Sequence, residues 1–235
     1  MHTVYYLVLV PMVYLAVAVF VVGVLARIIQ VWRLPRFAPT LQIFPEKKPA
    51  WLYALGDALF MNQVRRHKPV LWVFLMLFHI GLLLLLLGHL ELITEFETIQ
   101  IIPHNIFLGH GIVGLVMAIC LIFFMLRRTI SPTKELTVLE DYFILILLFL
   151  TVLFGAQMDW ARQWFGFDTI GVDEYRSYLY SLVTFHPTIE DVAYSGHTFM
   201  LTLHIFFANL FLIWFPFSNL MHAIFTFPMN LIRRG

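Results

Sequence analysis

The chain has 235 residues, 61% apolar and only 12% charged, with a mean hydropathy of +0.85. A soluble domain carries about 25% charged residues, so half that share places the chain in the membrane class. The net charge of +1 gives no grounds for a nucleic-acid partner, and the single cysteine, Cys120, rules out an internal disulfide, a structural zinc site or a cysteine-held iron–sulfur cluster.

A transmembrane helix needs about 20 mainly apolar residues, and five segments meet that length. The first, about 4–28, lacks the basic flank of a cleavable signal peptide and reads as a retained helix. The connection of about 29–69 carries four prolines in "LPRFAPTLQIFPEKKPAW", which argue against a continuous helix there. Its basic and aromatic content suits either a docking surface for a partner or an ordinary cytoplasmic loop. The second and third spans are predicted at about 70–93 and 105–126, and the fourth at about 141–158. A long connection of about 159–197 follows, rich in Trp and Tyr. Amphipathic rings of that kind favour the headgroup level, so it is expected to lie along the membrane as a lid. The fifth span, about 198–222, contains Pro216, which should kink it or loosen its last turns. The expected fold is all-α, an integral membrane five-helix bundle forming a single domain of residues 1–235, with no internal repeat.

Orientation follows from Lys and Arg, which are in excess on cytoplasmic loops. Thirteen of the fifteen basic residues fall in the 29–69 connection and its flank, the connection after the third span, and the C-terminal tail. The N-terminus is therefore expected outside and the C-terminus in the cytoplasm, in the cell membrane.

Ten histidines stand out among so few polar groups. An ionisable side chain at membrane depth is costly and marks a functional site by default. His79 and His89 lie within the second span; His204 lies within the fifth and His222 towards its end. At about 1.5 Å per residue, His89 sits roughly 15 Å further out than His79. The fifth span runs the other way, so His204 is outer and His222 inner. Two antiparallel helices thus offer an outer pair, His89 with His204, and an inner pair, His79 with His222. Two stacked bis-histidine sites are the arrangement expected of a dihaem b-type cytochrome. The fit is imperfect: His204 and His222 are nominally about 27 Å apart on an ideal helix, and only a break around "WFPFS", tilted haems or helix crossing reconciles the two spacings.

Other readings compete. A lone intramembrane His is often just hydrogen-bonded to a carbonyl or hydroxyl. A zinc or copper site wants ligands clustered at one depth, often with Cys, Asp or Glu, and H-E-x-x-H is absent. The remaining alternative is a haem-free membrane anchor, or a proton-relay or transport protein, whose histidines pair with each other.

"LFHIGLLLLLLGH", "VTFH" (Val183–His186), "LH" at Leu203–His204, "FPFSNLMH" (Phe215–His222) and "RRTISP" (Arg127–Pro132) resemble the membrane cytochrome b, or gamma, subunit of respiratory nitrate reductase. They resemble equally its relatives in sulfate-reducer and heterodisulfide reductase-type membrane complexes. The resemblance implies two haem b groups, with His89 and His204 as axial ligands of the outer iron and His79 and His222 of the inner. It implies an electron-transfer subunit whose terminal catalysis lies on a partner, with menaquinone or another quinone exchanging electrons at the outer haem. The implied partner is a cytoplasmic iron–sulfur subunit, heterodisulfide reductase-like or ferredoxin-like. The lipid bilayer surrounds the chain, and there is room for other membrane subunits or an outer cytochrome c subunit. Arg127 and Arg128 match the family's basic pair and would neutralise inner haem propionates. The family's quinone-site lysine before the third span is missing from "IIPHNIFLGHG". His104, Asn105, His110 and His186 are candidates to replace it, and Gly88 would let a ring approach the haem edge. His197, seven residues before His204 and on the same face, is its rival as outer ligand.

Overall fold

The computed structural model describes residues 2–33, 48–93, 111–167, 171–193 and 197–234, which form helices and, among themselves, no strand. Helix α1 (His2–Leu9) runs into α2 (Pro11–Arg33). Pro11 has no N–H to donate but suits a first helical position, so the break costs little and the pair forms one apolar stretch, Thr3–Arg33. The proline-rich connection is followed by two helices that the sequence reading did not foresee, α3 (Ala50–Phe60) and α4 (Asn62–His67). Met61, at φ 45°, turns the chain between them. Helix α5 (Pro69–Ile93) carries His79 and His89.

The predicted third span meets α6 (Ile112–Arg128), and its start at 105–111 lies mostly outside the described residues. After a single turn, α7 (Thr133–Leu136), α8 runs from Leu139 to Phe165, well beyond the predicted 141–158. Asp141 accepts the Val138 N–H at 3.2 Å and fixes the start; Gly166, at φ 65°, ends the helix. Charge at Asp159 marks the edge of the apolar run but does not stop a helix, since Arg162 pairs with it at 2.8 Å one turn on. The 159–197 connection holds α9 (Val172–Val183) and the short α10 (Glu190–Ala193).

The predicted fifth span divides. Helix α11 (Thr198–Trp214) stops before Pro216, two 3₁₀ turns cover Phe215–Phe217 and Asn219–Met221, and α12 (His222–Arg234) is a separate helix. Four described stretches are long and apolar enough to cross a membrane: Thr3–Arg33, Pro69–Leu90, Leu139–Phe165 and Thr198–Phe217.

The chain divides into two compact units, Met1–Val17 with Leu77–Phe211, and Ala18–Met76 with Leu212–Gly235. In the first, Met117 and Leu121 of α6 meet Leu148 and Val152 of α8, flanked by Phe78 and Leu85 of α5 and Phe211 of α11. Lipid offers no hydrophobic drive between helices, so small residues set their approach. A Cβ on Gly114 would lie 2.6 Å from Ala156, and one on Gly81 would lie 2.7 Å from the Met117 sulfur. Towards one end, Leu9, Val10, Tyr178, Leu182, Val192 and Leu201 form a second cluster that seats α9 and α10 on α1. Tyr178 donates to the Leu9 carbonyl at 2.6 Å and Tyr14 to that of Leu182 at 2.8 Å. Tyr175 and Tyr178 of the expected surface lid are thus packed inward, whereas Tyr180 is exposed. In the second unit α12 lies along α3, and Gly23 of α2 lets Pro216 approach so closely that a Cβ would sit 2.7 Å from its ring.

The exposed flank of α5 is apolar, with Ile80, Leu82, Leu83, Leu86 and Leu90 all open. In water such a patch is an aggregation liability; hydrocarbon is the solvent that suits it.

Candidate functional site

His89 sits on α5 and His204 on α11, and the fold brings their rings together, with centroids 6.0 Å apart and planes 25° from parallel. Each imidazole is held by its Nδ1. That of His89 lies 2.6 Å from the Leu85 carbonyl one turn earlier in its own helix. That of His204 lies 2.8 Å from the Thr151 carbonyl of α8. A carbonyl oxygen only accepts, so both Nδ1 atoms carry the proton and both Nε2 atoms keep a free lone pair. Metal-binding histidines are commonly oriented in this way, by a backbone carbonyl on the other ring nitrogen.

These residues could hold a haem iron: with each Nδ1 proton committed to a carbonyl, Nε2 is the donor that both rings have left to offer. His89 is exposed on the open flank of α5 and His204 half-buried, and the leucines around His89 give the apolar wall a porphyrin needs. Gly88 is buried beside His89. It is the His204 ring that stacks with His89; His197, the rival ligand, is half-buried at the entry to α11, its carbonyl accepting from the Leu201 N–H at 3.1 Å.

His79 is exposed on α5, its ring against Phe78 at 5.4 Å. His222 is exposed at the start of α12, with its Nδ1 3.0 Å from the Asn219 carbonyl, so its Nε2 is also unprotonated in the neutral ring. His204 and His222 do not lie on one continuous helix. Ser218 is extended, at φ −108° and ψ 170°, and α12 starts anew at His222. Arg128 pairs with Asp141 at 3.0 Å and Arg127 is half-buried. His186 is exposed beyond α9, with its Nδ1 2.8 Å from the Thr184 carbonyl. His104, Asn105 and His110 lie outside the described residues. Among the described residues no cluster of three or more His, Cys, Asp or Glu side chains could hold a bare metal ion.

Two residues at the site went unnoticed in the sequence. Besides the Thr151 carbonyl, the ring of His204 lies against Gly155, where a Cβ would come within 2.8 Å of Cε1 and 2.9 Å of Nδ1. A glycine inside an apolar span is a general sign of close approach, but it does not say what approaches.

Residues 63–235 match the nitrate reductase gamma subunit family. The chain is also similar to the Hdr-like menaquinol oxidoreductase cytochrome b-like subunit of Archaeoglobus fulgidus. The two are 28% identical over an alignment of 265 residues that takes in 89% of this chain and 74% of the relative. With its long apolar helices and this match over most of its length, the chain is a multi-pass membrane protein and belongs to the nitrate reductase gamma subunit family.

Proposed function

We propose that the chain is a dihaem b-type cytochrome subunit that carries electrons between a quinone pool and an iron–sulfur subunit on the cytoplasmic side of the membrane. The observation that carries the proposal is the 6.0 Å spacing of the His89 and His204 rings, each with its Nδ1 proton committed to a carbonyl. The name of the Archaeoglobus relative supports menaquinol as the donor class and a heterodisulfide reductase-like assembly as the setting.

A bound b haem supplies a one-electron iron couple. His89 and His204 would hold the outer one. His79 and His222 would hold the inner, a reading supported by their matched depth in the sequence. The five-span topology with the N-terminus outside rests on the distribution of the basic residues. Near the outer pair, Gly88 leaves room for a quinone ring, and His104, Asn105, His110 or His186 would bond a quinone oxygen. A histidine titrating near neutrality suits the uptake of a quinol proton. Arg127 and Arg128 would counter the inner propionates, with Arg128 sharing its charge with Asp141.

The test is a reduced-minus-oxidised spectrum of the purified chain with haem counted by pyridine haemochrome, followed by addition of a menaquinol analogue. Two b haems per chain, reduced by the quinol, are expected. Folded material grown with ample haem yet holding none would favour the proton-relay reading instead.

A further inference from the structure

Helix α8 carries no histidine, yet its Thr151 carbonyl meets one, His204, at 2.8 Å. We infer that Thr151 and Gly155, one turn apart on α8, form a seat that fixes the imidazole of His204, and that Gly155 is a positioning residue for the outer cofactor. The seat itself stands on the geometry; only its consequence for the cofactor rests on the haem reading above.

A helical carbonyl has two lone pairs. One lone pair of the Thr151 oxygen serves the helix ladder, and the other accepts the His204 Nδ1–H at 2.8 Å. The imidazole can reach that oxygen only by crossing the surface of α8 where the side chain of residue 155 would stand. Gly155 leaves that space open: a Cβ there would lie 2.8 Å from Cε1, closer than side chains pack, and the obstacle is a rigid ring held by its Nδ1 rather than a flexible tail. The register of the two helices is held one turn away by Phe154 and Phe207, stacked at 5.6 Å with planes 3° apart. The hydrogen bond holds the ring against α8, and the stacked pair holds its height along that helix. The hydroxyl of Thr151 is not part of the seat, since it donates to the Leu147 carbonyl at 2.8 Å. The seat sets three things at once: the tautomer, the ring plane, and the direction in which Nε2 points.

The test uses the full chain purified from membranes and compares it with Gly155→Ala and Gly114→Ala. Gly114 is an equally tight glycine in the same helix group, but it faces Ala156 and not a histidine. Two readouts are taken: the His204 ring nitrogens by ¹⁵N magic-angle-spinning NMR, assigned by their loss in His204→Ala, and the reduced-minus-oxidised spectrum. Wild type should show a hydrogen-bonded Nδ1–H on His204. Gly155→Ala should lose it and drop from two haems per chain towards one, with the outer component missing or shifted. Gly114→Ala should keep both signals. If Gly155→Ala retains the Nδ1–H signal and the spectrum, the seat is wrong. If it does not accumulate, the wild-type ring alone decides: an Nε2-protonated His204 overturns the inference and an Nδ1-protonated one supports it. A wild-type chain without haem that still shows the Nδ1–H, and loses it in Gly155→Ala, would sink the cytochrome reading and leave the seat standing.

Discussion

In the first unit, α8 turns a bare glycine edge towards the imidazole of His204; in the second, α2 turns one towards the pyrrolidine ring of Pro216. Both glycines come with a polar partner one turn away. Thr151 offers His204 a carbonyl at 2.8 Å, and the Arg27 Nε donates to the Pro216 carbonyl at 3.2 Å. The difference is what is held. At Gly155 the neighbouring helix grips the proposed ligand itself. At Gly23 it grips the break that ends α11, and the Nδ1 of His222 lies 3.0 Å from the Asn219 carbonyl of its own turn. A proposed ligand gripped by tertiary contacts should respond to distant packing, whereas one oriented by its own backbone should respond mainly to local changes.

That contrast can be broken by substitution. Gly155→Leu places a branched side chain where His204 stands, and it should abolish the outer spectral component while the inner one survives. Gly23→Val forces Pro216 from α2. Overpacking of this kind costs about 1–3 kcal/mol, seen as a lower midpoint in detergent thermal unfolding, with the outer component unchanged. If Gly23→Val removes the outer component instead, the two seats are not separable in the way described.

A smaller effect is expected at Asn209, buried at 3% exposure, whose amide donates to the Val8 carbonyl of α1 at 3.3 Å. Interhelical hydrogen bonds in membranes average about 0.6 kcal/mol. Asn209→Leu should therefore lower stability slightly in a chemical-denaturant titration and leave both haems bound. A loss of haem there would mean that α1 takes part in holding the site.

The smallest effect is one of pH, on the cap formed by α9 and α10. Burial pushes the Tyr175 phenol up to about 12, against partial relief from Arg162, and its O–H rests on the Met158 sulfur at 3.3 Å. An unfolded tyrosine ionises near 10, so the folded state binds this proton more tightly. The stabilisation is full below about pH 10 and is lost as pH rises towards 12. Unfolding midpoints measured at pH 8, 10 and 11.5 should fall across that window, and Tyr175→Phe should flatten the fall. An equal fall in Tyr175→Phe would assign it to other groups.

Much of the frame was legible because hydrocarbon imposes a simple rule on sequence: the spans read at about 4–28, 70–93, 141–158 and 198–222 each overlap a long apolar helical stretch, 3–33, 69–90, 139–165 and 198–217. The end of α11 was legible as well, since Pro216 can neither donate nor fit a helix interior. Depth and direction put His89 beside His204 in the sequence reading, and their rings lie 6.0 Å apart. What escaped was of two kinds. Helices α3, α9 and α12 are too short to span, so no hydropathy rule exposes them, and proline counting argued against helix in the region of α3. Thr151 and Gly155 escaped because their part in the site is played by a carbonyl and by a missing side chain. Side-chain chemistry read along a sequence shows neither; only the approach of a second helix gives them meaning.

The central claim, that His89 and His204 share one cofactor, is tested most directly by counting b haem per chain in His89→Ala and in His204→Ala beside the wild type. The account predicts two haems in the wild type and one in each variant, with the same spectral component lost from both and the Nδ1-anchored imidazole of the untouched partner still in place. Loss of different components from the two variants, or no loss from either, would contradict it.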